Sequence, residues 1–405
     1  MFIASEQKWA KLFPDELLGR AKNLFPHTQH GQIYFNHASS APMATRVVDA
    51  MTSHLNERST GVIETYELDV AKMQECRSRV QRLINAESSE RIAFCMNTSD
   101  AINVVASGLS WKSGDRILLH EAEFPANVWP FLALKRHGVE IDVIPQSKGH
   151  PTPQLIADHL TEKTRLVALS AVQFLTGYRA DLETVGSLCR SKNILFVVDG
   201  IQAVGAVQID VQRMKIDALA SGCQKWQLGP QGTGWLYITE EMQSRIEPAY
   251  VGWLAVDNPW DFTNFTQPLA TSARRFEGGT RNIPGIWGMD AGLSIIEEFG
   301  IERIQDQILA LTQMLINSLQ TLHSLAIVTP HAQSQRAGIV TVKLPEGIDA
   351  KAVFKRLLAQ DITLALRNGL LRFSPHFYNS ATEIALAVSA VREAINGNKN
   401  SKNNH

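Results

Sequence analysis

Two ionisable side chains lie in stretches whose other residues are typical of a protein core. Asp199 ends the apolar run "ILFVVDG". Lys225 lies in "SGCQKWQLGPQGTGWLYI", which contains no other charged residue. A buried carboxylate is costly unless a cation or a hydrogen-bond donor meets it, and burial lowers the pKa of a lysine amine. Asp199 is therefore interpreted as a salt-bridge partner, a metal ligand or a cofactor contact, and Lys225 as an ion-pair partner or an amine nucleophile.

A third polar feature follows the apolar run "RIAFCM". Asn97, Thr98 and Ser99 stand between this run and the helix-like segment "SDAINVVASGL". Free N–H groups and two hydroxyls at a helix N-terminus suit a phosphate, although an ordinary helix cap explains the same residues. Taken together, a phosphate-binding turn, a carboxylate at a strand end and a buried lysine predict a pyridoxal phosphate site. They would supply the phosphate anchor, the partner of the pyridine nitrogen and the lysine that bonds the cofactor.

The elements that must position these residues alternate between strand and helix. Short runs rich in Ile, Leu and Val predict strands, and segments of helical length lie between them. The predicted strands are 91–96, 116–122, 139–145, 165–172 and 194–200. Strict alternation predicts an α/β fold with a mostly parallel central sheet that helices cover on both faces. The carboxyl ends of such strands are where ligands bind, and Asp199 lies at one of them.

The pattern changes near residue 290, where a long amphipathic helix begins. Its apolar face carries Ile304, Ile308, Leu311, Leu315 and Leu319. Two strand-like runs and two further helices follow, which predicts a smaller α+β domain. The predicted organisation is an N-terminal segment (1–30), a large cofactor-binding domain (31–290), a small C-terminal domain (291–396) and a disordered polar tail (397–405).

Composition excludes several classes of function. The 405 residues carry a formal net charge of −1 and 20% charged residues, which gives no bias toward nucleic acid or anionic membranes. The N-terminus does not resemble a signal peptide, and the apolar runs are shorter than the roughly 20 residues that a membrane span needs. The four cysteines form no C-x-x-C pair, so neither a disulfide framework nor a zinc site is indicated. We therefore expect a cytoplasmic protein without bound metal.

The sequence resembles the class V aminotransferase family, which includes cysteine desulfurases, C–S lyases and isopenicillin-N-epimerase-like proteins. The resemblance is carried by motifs in the same order as in the family. They are "IYFNHASSAP", "NTSDAIN", "VDGIQAVGAVQIDV", "QKWQLGPQGTGWLY", "FEGGTRN" and "LRFSPHFYN". It implies the fold of fold-type I pyridoxal phosphate enzymes and covers nearly the whole chain.

The resemblance assigns roles to the residues at the cofactor. Lys225 would form the internal aldimine and then move protons at the substrate, and Asp199 would keep the pyridine nitrogen protonated. Gln202 would lie near the ring hydroxyl. Thr98 and Ser99 would bind the phosphate.

Other positions depart from the family pattern or imply a second chain. Gln224 stands where relatives often have a phosphate-binding histidine. Phe124 replaces a histidine over the ring, where a phenyl group can stack but cannot exchange protons. Phe174 replaces an asparagine near the ring hydroxyl. Gly279 and Thr280 would reach the phosphate of a neighbouring subunit, which implies a homodimer with a shared active site.

The substrate-binding expectations come from both ends of the chain. Arg372 matches the arginine that binds the α-carboxylate of a small amino-acid substrate. Asn36 and His37 are expected to line the substrate pocket. His376 is either structural or near the substrate, and Cys223 is either near the cofactor or a small buried residue.

The cysteine positions narrow the reaction. Cysteine desulfurases carry a catalytic cysteine shortly before the C-terminal arginine motif, but this chain has no cysteine after Cys223. The sequence therefore favours a C–S lyase-type β-elimination or a transamination without a catalytic cysteine. An amino-acid epimerase or racemase, and a non-catalytic relative that binds no cofactor, remain alternatives.

Overall fold

The computed structural model describes residues 11–322 and 325–402. The strands are β1 (Ile33–Tyr34), β2 (Ile92–Cys95), β3 (Arg116–His120), β4 (Glu140–Ile144), β5 (Thr164–Ser170), β6 (Leu195–Asp199), β7 (Ala218–Gly222), β8 (Gly234–Ile238), β9 (Ala326–Ile327), β10 (Val340–Lys343), β11 (Ile362–Thr363), β12 (Ala365–Arg367) and β13 (Leu370–Phe373). The α-helices are α1 (Asp15–Asn23), α2 (Thr45–Thr60), α3 (Tyr66–Ile84), α4 (Thr98–Gly108), α5 (Trp129–Leu132), α6 (Pro153–Ala157), α7 (Leu182–Ser191), α8 (Glu240–Gln243), α9 (Ile283–Phe299), α10 (Ile301–Gln320), α11 (Ala350–Leu358) and α12 (Ala381–Lys402).

The large unit is built on a seven-stranded sheet with the order β2-β8-β7-β6-β5-β3-β4. The strands from β7 to β4 in this order run parallel to one another, whereas β8 runs antiparallel to both of its neighbours. The five strands predicted between residues 91 and 200 all lie in this sheet, and the mostly parallel α/β fold is confirmed. The prediction omitted β7 and β8, which flank the Lys225 segment. The Ala, Ser and Gly residues of β7 give it only a weak strand pattern.

The burial of β6 explains why helices must cover both faces of the sheet. Leu195 and Val197 belong to one hydrophobic cluster, and Phe196 and Val198 belong to the cluster on the opposite face. Side chains alternate between the two faces of a strand, so a strand that is apolar throughout is buried on both. Asp199, the last residue of β6, continues this buried run into the loop.

The C-terminal unit has its own core around the sheet β12-β13-β10-β9. Strand β1 pairs in parallel with β11, so Ile33 and Phe35 pack in this core although the sequence assigned them to the large domain. Helix α10 joins the units, because Ile304 packs with the large core and Leu315 with the small one. Helix α12 is described to Lys402, and residues 403–405 of the predicted disordered tail lie outside the described residues.

Two features are absent from the described parts of the chain. None of the helices there has the length and apolarity needed to cross a membrane. The same residues contain no group of His, Cys, Asp and Glu side chains that could hold a metal ion.

Candidate active site

A cavity of about 510 Å³ opens at the carboxyl ends of β6 and β7, where it meets the C-terminal unit. This is the edge at which parallel sheets bind ligands. The cavity collects residues that are far apart in sequence. It is lined by Ala38, Ser39, Asn97, Thr98, Ser99, Phe124, Ala126, Phe174, Asp199, Ile201, Gln202, Gln224, Lys225, Arg367 and Arg372.

Asp199 lies at the sheet edge of the cavity and is almost fully buried. Its Oδ1 accepts a hydrogen bond of 2.9 Å from the N–H of Ile201. Burial raises the pKa of Asp199 to about 6, while the Ile201 hydrogen bond and the charge of Lys225 oppose that rise. The carboxylate is therefore poised to pair with a cation that enters the cavity.

Lys225 lies in the loop between β7 and β8. Hydrogen bonds from Cys223 N–H to the Thr233 carbonyl (3.0 Å) and from Gly229 N–H to the Cys223 carbonyl (2.9 Å) close this loop. Leu228, fully buried in it, has a φ of 61°, a left-handed conformation that a β-carbon makes costly. The surrounding structure thus fixes the loop in an unusual shape.

The amine of Lys225 is held in an environment that favours its neutral form. The residue is 8% exposed. Burial lowers the pKa of Lys225 to about 8, Asp199 opposes this effect, and Arg372 and Arg367 add to it. With this lowered pKa, a larger fraction of Lys225 is neutral near neutral pH than of an ordinary lysine, and the neutral amine is a nucleophile and a base.

The first turn of α4 forms another wall of the cavity. The Asn97 side chain caps the helix by accepting from the N–H of Asp100 at 3.0 Å. The Thr98 hydroxyl oxygen accepts from the N–H of Gly222, at the end of β7, at 2.9 Å. Ser99 is exposed at the cavity. The helix cap and the phosphate site are therefore compatible interpretations, because the cap leaves the first N–H groups of α4 directed at the cavity.

Two phenyl rings line the opposite wall. Phe124 and Phe174 meet edge to face, with ring centroids 5.3 Å apart. The Nζ of Lys225 lies 5.6 Å from the centroid of Phe124. A planar ligand bonded to Lys225 would thus have an aromatic face beside it.

The two glutamines predicted at the cofactor both line the cavity. Gln202 is engaged at both ends: its Nε2 donates to the Ala38 carbonyl and its Oε1 accepts from the indole of Trp226, each at 2.9 Å. This pairing fixes the Gln202 side chain against the Lys225 loop. Gln224 is half-buried, and its backbone carbonyl accepts from the N–H of Ala41 at 2.7 Å.

Arg372, on β13, reaches the cavity from the C-terminal unit. Its guanidinium donates to the Phe174 carbonyl at 2.7 Å and to the Ser39 hydroxyl at 2.8 Å, and the residue is only 2% exposed. Its Nε is buried without a hydrogen-bond partner. Burial and the charge of Arg367 lower the pKa of Arg372 to about 10, so it stays charged at neutral pH. A buried cation with an unused N–H is suited to bind a carboxylate.

Asn36 and His37 do not line the cavity, although the next two residues, Ala38 and Ser39, do. Both ring nitrogens of His37 are already engaged, with the Ser374 carbonyl at 2.9 Å and the Tyr378 hydroxyl at 2.8 Å. Burial holds the pKa of His37 well below its usual value. His37 therefore supports the segment that carries Ser39.

His376 and Cys223 are buried away from the cavity lining. The Nδ1 of His376 accepts from the N–H of Phe377 at 2.8 Å, and its Nε2 lies 3.1 Å from the Trp226 carbonyl. Burial lowers the pKa of His376 to about 4, so the ring is neutral and structural. Burial raises the pKa of the Cys223 thiol, which is therefore unreactive.

The structure does not bring Gly279 and Thr280 to this cavity. They line a separate hollow beside Tyr250. Glu277 anchors their loop by accepting from the N–H of Phe94 at 3.0 Å. Gly278, with a φ of 65°, provides a turn that other residues rarely adopt. Thr280 itself is exposed.

Three polar or charged residues at or near the cavity were not predicted from the sequence. Ser39 and Arg367 line the cavity, and Arg367 lies 3.4 Å from the Ser39 hydroxyl. Glu123 is buried behind Phe124. The sequence gives one indication that Arg367 belongs to the site. Arg367 stands five residues before Arg372, on the neighbouring strand of a β-hairpin.

These residues fit pyridoxal phosphate. A buried acid and a buried amine line one cavity, and the N-terminal turn of α4 and an aromatic face complete its walls. The cavity volume lies within the range of small-molecule sites, about 300–1,000 Å³. The acid would meet the pyridine nitrogen, the amine would bond the aldehyde carbon, and the first turn of α4 would hold the phosphate.

Comparisons with known proteins agree with this interpretation. The family described as "Aminotransferase class-V" matches residues 33–392. A probable cysteine desulfurase of Methanothermobacter thermautotrophicus is 30% identical over 380 residues, which span 89% of this chain and 94% of the relative.

Solved structures give the same result. The apo cysteine desulfurase of Thermococcus onnurineus NA1 superposes with a TM-score of 0.85 at 27% identity, covering 96% of this chain and all of the other. The cystine C–S lyase C-DES, in complex with its product cysteine persulfide, gives 0.84 at 26% identity, covering 91% of this chain and 98% of the other. A lysine-to-alanine variant of C-DES, with glycine linked covalently to its PLP cofactor, gives 0.85 at 25% identity over 94% and 99%.

Proposed function

Because the chain belongs to the class V aminotransferase family, we propose that it breaks the carbon–sulfur bond of a small amino acid by β-elimination. The predictions of a pyridoxal phosphate-dependent enzyme and of its fold are confirmed by the family match and the structural neighbours. The substrate and the type of reaction are the part that we propose. Bound pyridoxal phosphate supplies an electron sink for the negative charge that develops at the substrate's α-carbon.

Three residues of the cavity would bind the substrate and move protons. Arg372 would bind the α-carboxylate, and this contact sets which bond at the α-carbon is broken. The amine of Lys225 would take the α-proton, because it is neutral above about pH 8. Asp199 would hold a proton on the ring nitrogen. Phe124 cannot exchange protons, which leaves Lys225 as the base of the cavity.

The position of the cysteines favours elimination over persulfide transfer. The four cysteines are residues 76, 95, 189 and 223, so none lies in the C-terminal third of the sequence. None lines the cavity. A desulfurase needs a thiolate at the substrate's sulfur, and burial raises the pKa of Cys223, the nearest cysteine in sequence to Lys225. Sulfur would therefore leave with the product.

A pair of arginines favours a substrate with two carboxylates. Arg372 and Arg367 line the same cavity, and both contact the Ser39 hydroxyl, at 2.8 and 3.4 Å. One α-carboxylate satisfies Arg372 and leaves the exposed Arg367 without an anion. Cystine carries a second carboxylate at its far end. The net reaction with cystine and water would release pyruvate, ammonia and cysteine persulfide.

We also propose a homodimer in which Thr280 of one chain meets the cofactor phosphate of the other. Thr280 lies on an exposed loop, outside the cavity of its own chain. Large apolar side chains surround it on the surface, among them Tyr250, Trp253 and Trp260, each more than 40% exposed. Exposed apolar clusters of this kind mark interaction surfaces.

Product analysis tests the proposed reaction. The purified enzyme would be incubated with cystine, cysteine, S-methylcysteine and alanine, while pyruvate, sulfide, persulfide and keto-acid release are followed. We expect pyruvate and persulfide from cystine. Keto-acid formation in step with conversion of the cofactor to its amine form would show transamination instead, and loss of optical activity without release of products would show epimerisation.

The variant Arg367→Gln tests whether the substrate has a second carboxylate. We expect its KM for cystine to rise about tenfold, while its KM for S-methylcysteine stays within about twofold, because only cystine has the second carboxylate. Equal changes for both substrates would contradict the proposed role of Arg367.

A further inference from the structure

Glu123 is a buried carboxyl group for which the proposed reaction provides no role. It follows β3, immediately before Phe124, and is 5% exposed. Its neighbour Glu121 is exposed. A buried carboxylate must be compensated by donors, so the contacts of Glu123 indicate what it serves.

Hydrogen bonds connect Glu123 to Ser170, the residue paired with Asp199 in the sheet. The N–H of Ser170 donates to Oε1 of Glu123 at 2.9 Å, and the Ser170 hydroxyl donates to Oε2. Ser170 is the last residue of β5 and is the direct partner of Asp199 in the parallel pair β5–β6. Partners in register project their side chains on the same face of a sheet. The Glu123 carboxylate is thus one strand away from the acid at the cavity.

The remaining contacts hold the segment that carries Phe124. Asn127 donates from Nδ2 to Oε2 of Glu123 at 2.9 Å, and its backbone N–H donates to the Phe124 carbonyl at 2.8 Å. The Nε2 of Gln173 lies 3.4 Å from Oε1. Glu123 therefore ties the turn after β3 to the end of β5.

The protonation of Glu123 depends on its burial, on its hydrogen bonds and, to a smaller extent, on the charge of Asp199. Burial raises the pKa of Glu123 to about 7; the hydrogen bonds from Asn127 and Ser170 lower it, and the charge of Asp199 raises it further. Those donors favour the ionised form. A cation placed next to Asp199 would favour it as well, because it would offset the repulsion between the two carboxylates.

We propose that Glu123 is a positioning residue for the cofactor: it fixes the segment of Phe124 and places a second negative charge behind Asp199. This inference rests on the proposed role of Asp199 at the ring nitrogen. A negative charge there stabilises the protonated forms of the ring and of the lysine–cofactor linkage. Removing it lowers the pH at which the bound cofactor loses its proton.

The test is a pH titration of the visible absorbance of the bound cofactor. Glu123→Gln keeps the shape of the side chain and removes its charge, and Glu121→Gln removes an exposed charge two residues away as the matched control. We expect the midpoint to fall by about one pH unit in Glu123→Gln and to stay at the wild-type value in Glu121→Gln. An unmoved midpoint in Glu123→Gln overturns the proposal.

A second variant separates charge from packing. Glu123→Asp keeps a carboxyl group at this position but shortens the side chain, so we expect a smaller shift than in Glu123→Gln. Equal shifts in both variants would show that packing alone is responsible and would overturn the proposal. A wild-type protein without visible cofactor absorbance would contradict the proposed function instead, because it would show that no pyridoxal phosphate is bound.

Discussion

The Lys225 cavity and the Thr280 loop differ in how the fold assembles them. In the cavity, Asp199, Thr98 and Lys225 come together within one chain, because all of them follow strands of one sheet. Thr280 lies on the surface in a separate hollow, on a loop that Glu277 anchors from below. The resemblance to the family implies that both regions contact the same cofactor.

This difference indicates which contacts one chain can make alone. The carboxyl ends of neighbouring parallel strands meet at one edge, so residues placed there converge without help from another molecule. A residue on an exposed loop can complete a binding site only when a second chain lies against that loop. The cavity is therefore expected to hold the cofactor covalently, and the Thr280 loop is expected to complete its phosphate site in a dimer.

Replacing the lysine should have the largest effect. Lys225→Ala should abolish turnover, because it removes both the group that bonds the cofactor and the proposed base. Non-covalent cofactor should remain, held by the first turn of α4. The measurement is product release together with the absorbance spectrum, with the exposed Lys163→Ala as control. Turnover by Lys225→Ala would contradict the role of the lysine.

Mixing two inactive variants tests whether the site is shared. Lys225→Ala and Thr280→Asp, unfolded and refolded together, form hybrid dimers in which one site combines an intact Lys225 with an intact Thr280. About half of the dimers would be hybrids, and one of the two sites in each hybrid would work. We therefore expect roughly a quarter of wild-type activity.

The control mixture pairs Lys225→Ala with Asp199→Asn. Both residues lie in the same cavity of one chain, so each hybrid site keeps a defect and activity should stay at the level of the separate variants. Recovery in this control, or no recovery with Thr280→Asp, would contradict the contrast between the two regions.

Removing the carboxylate-binding arginine should have a smaller effect. Arg372→Ala should raise KM for an α-amino acid at least about tenfold, a loss of about 1.4 kcal/mol in binding. Steady-state kinetics would show it, with the exposed Arg303→Ala as control. An unchanged KM would place the carboxylate site elsewhere.

The pH dependence of cofactor loading should show the smallest effect. Only the neutral amine of Lys225 attacks the aldehyde, and burial lowers the pKa of Lys225 from 10.5 to about 8. The loading rate of the apo protein should therefore rise with pH up to about 8 and then level off. Stopped-flow absorbance would measure it. A rate that keeps rising toward pH 10.5 would show an unperturbed lysine.

The sequence predicted the parts of the site that depend on local pattern. Asp199 was identified because a carboxylate ends an apolar run, and Lys225 because it is the only charge in a long apolar segment. The parallel sheet followed from the alternation of strands and helices. These signals need no knowledge of which strands are neighbours.

The residues that were not predicted depend on strand order. Glu123 is buried because β3 pairs with β5, which brings the turn after β3 to Ser170. In the sequence it stands in "HEAEFPAN", which also fits a solvent-exposed loop. Likewise, His37 is bonded to Ser374 and Tyr378 away from the cavity, whereas Ser39 is bonded to Arg372 at the cavity.

Chemical trapping would show whether Lys225 bonds the cofactor. The protein, loaded with pyridoxal phosphate, would be reduced with borohydride and digested, and the modified peptide would be identified by mass spectrometry. We predict that the cofactor is attached to the peptide containing Lys225 and that the yield falls in Asp199→Ala. Attachment to a different lysine, or no attachment to the reduced protein, would contradict it.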